Sequence, residues 1–177
     1  KGYKFSDGTE VLARNFVDAW NYAAYMPNGQ QNGYFFEPVA GYADLQCTDD
    51  KCTTKPKADK LSGLKVVDDH SFTIATTEPV SNLPVRLGYS AFVPQPDASA
   101  TLGKQPIGAG PFKVTANTAT EISLEKNTSY SGANKPHVDK VVYKIYNDAN
   151  AAYTDLVANN IDFTDIIPSD QLAGDQW

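Results

Sequence analysis

No stretch of this 177-residue sequence approaches the roughly 18 consecutive apolar residues of a membrane-spanning helix, so none is expected. Basic charge is also scarce: 15 Lys and Arg stand against 21 Asp and Glu, for a formal net charge of −6 and a pI near 4.8. A nucleic-acid partner needs a basic surface to displace phosphate counterions, and no Lys/Arg cluster supplies one. Catalytic motifs are missing as well. There is no G-x-S-x-G elbow, no P-loop, no H-E-x-x-H and no G-x-G-x-x-G behind a strand. Only two histidines occur: His70 in a predicted turn and His137 after a proline, both read as solvated surface residues. The chain opens on Lys1-Gly2-Tyr3-Lys4-Phe5 with no signal segment and stops at Trp177, so a piece of a longer protein is expected.

What is present reads as globular, with 41% hydrophobic and 20% charged residues. The two cysteines lie in "CTDDKC", and the short polar loop between them predicts a disulfide between Cys47 and Cys52 and an oxidising compartment. Two metal-binding thiols are the rival reading, disfavoured by the absence of a second Cys/His pair. The acidic pairs Asp49-Asp50 and Asp68-Asp69 are read as turn carboxylates, since adjacent turn side chains diverge.

Punctuation divides the chain. In "LARNFVDAWNYAA", Phe16, Val17, Trp20 and Ala24 fall on one face of a helix that should stop near Pro27-Asn28-Gly29. Residues 28–63 are loop-like with a short helix around Ala40 to Leu45. "GLKVVDDHSFTIATTEP" predicts a hairpin turning at Asp68 to Ser71, and "GPFKVTANTATEISLEK" a second turning at Asn117 to Thr120. A strand in "VDKVVYKIY", a helix capped by Asp148 and a strand in "IDFTDII" follow. The class is α/β to α+β. Tyr34, Phe35 and Phe36 are consecutive, so at least one ring should leave the core for a groove or for solvent.

The order of motifs resembles a known family. "KFSDGTEVLARNFVDAW" is similar to the "kFhDGtpvtAeDvvfsw" signature of the extracytoplasmic solute-binding proteins of peptide-type ABC transporters, family 5. "PIGAGPFKV" resembles the family's "piGtGPfkl" crossing, "ISLEKNTSY" its "i.l.rNp.Y", and "VDKVVYKIYNDANAAYTDLVANNIDFTDIIP" its strand, helix and "GeiD" strand. "NGYFFEPVAGY" and "RLGYSAFVPQP" look most like actinobacterial members.

That resemblance implies part of a type II (class C) periplasmic-binding-protein-like fold, with mixed sheets and flanking helices. Residues 1–105 would belong to the smaller subdomain of the first lobe, 106–125 to a crossing segment and hairpin, and 126–177 to the first lobe. The N-terminal strand and the C-terminal lobe would be absent. In the crossing, Gly108 and Gly110 are expected to take backbone angles that a Cβ forbids.

A receptor that captures oligopeptides outside the membrane and hands them to an ABC permease is implied, lipid-anchored in the longer protein, with no catalytic residue, cofactor or metal. Ligand contacts are expected from Tyr34, Phe35, Tyr89, Ser90, Phe163, Thr164, Asp165 and Ile166, with the aromatic patch around Tyr34 and Phe35 facing the loop "DFTDII" across a cleft. The alternatives are another cargo on the same fold, such as an oligosaccharide, nickel or a metal chelate, and, more remotely, a secreted hydrolase using acidic residues. Exposed sheet edges would let the piece self-associate.

Departures from the family pattern also carry expectations. Leu12 stands where a capping Thr or Ser is usual and Asn15 where an acid is usual, so the first helix lacks its cap unless Thr9 or another group substitutes. Asn160 replaces the glycine after the second helix and is compatible with a left-handed C-cap there, while Ala109 gives up a hydroxyl.

Overall fold

A computed structural model describes residues 2–96 and 106–172. The apolar stripe read from the sequence forms α1 (Ala13–Ala24), which buries Val17, Trp20 and Ala24. Leu12 has no side-chain acceptor to offer as N-cap. Asn15 Oδ1 instead accepts from the Leu12 N–H at 2.8 Å, and the Ala13 N–H donates to the Asp69 carbonyl. Thr9 does not substitute, because its N–H and hydroxyl both donate to Asp7 Oδ1. Asn15 Nδ2 also donates to the Pro96 carbonyl, so one buried amide fixes the helix start and a distant loop together.

Beyond α1 the chain runs through 3₁₀ turns at Met26–Asn28, Gly33–Phe36 and Tyr42–Leu45, the last inside the helical stretch expected there. The hairpin β1 (Leu64–Asp68) and β2 (Ser71–Ile74) turns where predicted. Residues 39–41 lie against its open end: Val39 bridges Thr76, and the Ala40 N–H donates to the Ala75 carbonyl. Gly63 makes this approach possible, because a Cβ there would stand 2.3 Å from that same carbonyl.

Trp20 is the hub of the core. Its ring meets Phe36 at 5.8 Å, Phe72 at 5.4 Å and Phe92 at 5.2 Å, and its Nε1–H donates to the Phe92 carbonyl at 3.0 Å. The last two geometries are edge-on, the arrangement that aromatic quadrupoles favour. Leu45, Leu61 and Val39 complete the cluster. A short helix α2 (Leu83–Arg86) and a 3₁₀ turn at Ser90–Phe92, neither foreseen, bring Phe92 to it.

The second half is an antiparallel sheet of β3 (Phe112–Asn117), β4 (Glu121–Lys126) and β5 (Lys140–Lys144) in that order, followed by α3 (Ala149–Val157). Asp148 caps α3 as expected, accepting from the Asn150 N–H at 3.0 Å. Buried apolar side chains are unevenly shared: among the described residues, those from Phe5 to Phe92 all lie in the first half, and the second half contributes Ala152 and Pro168.

Three expectations need correction. Residues 161–167 form no strand, because no ladder partner for them exists among the described residues. The left-handed residue after α3 is Asn159, with φ +58°, not Asn160. The Asn160 N–H closes on the Asp155 carbonyl and the Asn159 N–H on that of Leu156, a paired closure that puts the reversal one residue earlier. Finally, neither Gly108 nor Gly110 has positive φ, and a Cβ at either would meet open space. The crossing is held from outside: Asn127 Nδ2 donates to the Gly110 carbonyl, the Asn127 N–H to that of Pro111, and the Ser6 N–H to that of Gly108.

Candidate functional site

The turn Gly33–Phe36 sorts three adjacent aromatic rings by direction. Phe36 is wholly buried against Trp20 and Phe92, Phe35 is half-buried, and Tyr34 is 60% exposed. A 3₁₀ turn rotates successive side chains by roughly 120°, so three neighbours cannot share a face. The expected outward ring is therefore Tyr34.

Tyr34 and Phe35 lie 4.5 Å apart, tilted by 30°, and Phe35 stacks on Tyr89 at 4.4 Å and 24°. Tyr89 is 48% exposed and immediately precedes the turn that Ser90 opens. Three of the residues expected at a ligand site thus come together from two segments far apart in sequence, and Ser90 follows Tyr89 in the chain. Behind them Phe92 touches Phe35 edge-on at 6.3 Å, so the surface stack rests on the Trp20 core. This backing was missed in the sequence, where Trp20 read only as part of the apolar face of the first helix and Phe92 drew no reading as a core residue.

A stack of this kind presents flat apolar faces with two phenolic hydroxyls. Such a surface accepts apolar side chains by contact and peptide N–H or C=O groups by hydrogen bonding. Among the described residues there is no group of three or more His, Cys, Asp or Glu side chains able to hold a metal ion.

The other expected segment is placed differently. Phe163 is 78% exposed and Ile166 is also exposed, while the Thr164 hydroxyl bonds locally to the Ile166 carbonyl at 3.3 Å. Asp165 is exposed. No hydrogen bond or ring contact joins residues 163–166 to the aromatic stack among the described residues.

Cys47 and Cys52 are bonded, with Cα atoms 5.1 Å apart. Asp49 organises the loop between them: it accepts from the Lys51 N–H at 3.0 Å and from the Thr53 hydroxyl at 2.6 Å. The Thr53 hydroxyl, then its N–H, holds the Asp49 carboxyl below the usual range. The acidic pair is thus turn chemistry, as read from the sequence, with one member acting as the loop's internal acceptor.

Comparison with known proteins decides the family. The model of bacterial extracellular solute-binding proteins, family 5 (middle), matches residues 1–176. The chain belongs to that family. Among its relatives, the oligopeptide-binding protein AppA of Bacillus subtilis (strain 168) is 26% identical over 178 residues, covering 100% of this chain and 31% of AppA. The family 5 chain therefore spans about a third of the length of the curated relatives it matches.

Solved structures agree in fold. The unliganded open form of MppA, a periplasmic murein tripeptide binding protein, superposes with a TM-score of 0.80 at 24% identity, over 97% of this chain and 34% of MppA. Haemophilus influenzae OppA in complex with RPPGFSPFR gives 0.74 at 19%, over 91% of this chain and 32% of OppA. The architecture is thus part of a type II periplasmic-binding-protein fold. No helix among the described residues is long and apolar enough to cross a membrane.

Proposed function

We propose that this chain is part of a substrate receptor that captures oligopeptides outside the membrane and delivers them to the permease of an ABC importer. The observation that carries the reading is the exposed Tyr34–Phe35–Tyr89 stack on a family 5 chain. Aromatic faces take peptide side chains of many kinds without demanding one, while main-chain hydrogen bonds supply affinity that does not depend on sequence. The names of AppA, and of OppA bound to RPPGFSPFR, support the same cargo class. The Cys47–Cys52 disulfide suits an extracytoplasmic protein, one held by a lipid anchor in its longer form.

In this reading residues 1–105 belong to the smaller subdomain of the first lobe, 106–125 to the crossing and hairpin, and 126–177 to the first lobe, with 1, 97–105 and 173–177 lying outside the described residues. Ser90, Phe163, Thr164, Asp165 and Ile166 line the cleft with the stack once the lobes close. Asp165 meets a ligand amine there as a charge-assisted bond.

Calorimetry on the longer protein containing this chain tests the proposal, with oligopeptides, oligosaccharides and nickel as separate titrants. Peptide binding is expected, weakened by about 1.5–3 kcal/mol in Asp165→Ala and by a similar amount in Tyr34→Ala. Tight sugar or nickel binding with no peptide heat would replace the cargo. Folded variants that both bind peptide as well as the parent would move the cleft elsewhere.

A further inference from the structure

Away from the aromatic stack, the start of α1, the β1–β2 turn and the crossing segment enclose a cleft of about 370 Å³. Its walls include Tyr3, Val11, Phe16, His70, Phe72 and Ala109. This volume is at the small end of the range for small-molecule sites, enough for one ring and a short tail. Phe16 and Phe72 stack at 5.7 Å and 21° and give the cleft an aromatic wall.

A carboxylate stands next to the lining: Glu10, exposed to solvent and opposite Lys4 in a short β-bridge, adjoins the lining residue Val11. His70 lines the cleft, and its Nε2 lies 4.0 Å from Glu10 Oε1. No Lys or Arg pairs with Glu10 among the described residues, and its hydrogen bond there is a long one of 3.4 Å from the Gly2 N–H. A net charge of −6 adds a field that attracts cations and repels anions.

We propose that this cleft is a second ligand site, one that takes a small aromatic amine: the ring against the Phe16–Phe72 wall and the ammonium beside the Glu10 carboxylate. The Glu10 carboxylate favours an ammonium over a neutral group beside it and disfavours an aromatic acid by like-charge repulsion. The site is distinct from the Tyr34–Phe35–Tyr89 stack, since Trp20 and Phe92 stand between Phe72 and Phe35.

The test is an NMR titration of the 177-residue chain with 2-phenylethylamine, run in parallel with 2-phenylethanol and with ethylamine. Saturable shifts centred on Val11, Phe16, His70 and Phe72 are expected for the aromatic amine. Glu10→Gln should weaken its binding by roughly threefold, the scale of an exposed ion pair, and the alcohol should bind the parent more weakly by a similar factor. Ethylamine should not saturate. The proposal is overturned if the amine gives no saturable shifts at these residues, if the alcohol binds as tightly, or if ethylamine saturates there. Equal binding by Glu10→Gln overturns it as well. The ligand series needs no variant and no peptide, so its result stands apart from the receptor reading.

Discussion

Asn159 sits at φ +58°, where a Cβ crowds the neighbouring carbonyl and where asparagine is better tolerated than most side chains. Replacing it with valine should destabilise the chain by about 1–2 kcal/mol, whereas Asn159→Gly should leave stability unchanged or raise it slightly. Urea unfolding followed by circular dichroism compares the three, and a valine variant as stable as the parent would refute the left-handed assignment. The sequence shows two adjacent asparagines after α3 and does not say which one reverses the chain. That choice is made by which carbonyl, Asp155 or its neighbour, the following N–H can reach. Asn15 is similar. As a departure from the family pattern it reads as a loss, yet its amide does half the capping and also holds Pro96, a contact 81 residues away that no local pattern announces.

Between β5 and α3 the structure is held by a polar latch. The Tyr146 hydroxyl donates to Asp155 Oδ2 at 2.5 Å, and Asn160 Nδ2 donates to the other oxygen at 3.1 Å. The Tyr146 hydroxyl, then Asn160 and the charge of Lys144, hold the Asp155 carboxyl below its ordinary range; the same bond pushes the Tyr146 phenol up. A depressed carboxyl contributes stability above its unfolded pKa, near 4, and loses it as pH falls through the lower folded value. A raised phenol contributes below its unfolded pKa, near 10, and loses it as pH rises beyond the folded one. Melting curves should therefore show Asp155→Asn losing less stability than the parent between pH 5 and pH 2; equal losses would mean that the latch does not form. Elements were the most legible scale: α1, both hairpins, β5 and α3 follow from periodicity, turn residues and a cap within each segment. Residues 161–167 were not, because an alternating sequence specifies a strand only where a neighbour supplies the other half of the ladder. The site was legible in part. Three consecutive aromatics announced an outward ring, but the meeting of Phe35 with Tyr89 depends on turns whose signals were too short to read.

At the scale of the whole chain, nearly all the buried apolar side chains among the described residues lie in the first half, most of them around Trp20, while Tyr143, Val157 and Phe163 of the second stand exposed. The two halves therefore differ in how much buried surface opposes their opening. Deuterium uptake by the isolated 177-residue chain should proceed in two tiers. Amides of β5 and α3 should exchange first, through local openings far cheaper than global unfolding, and those of α1 around Trp20 last, at rates set by loss of the whole structure. Uniform uptake across both halves would refute this. Taken alone, the 177-residue chain therefore has a stiff end and a compliant one, and the aromatic stack is carried on the stiff end, where the Trp20 core fixes the spacing of its rings.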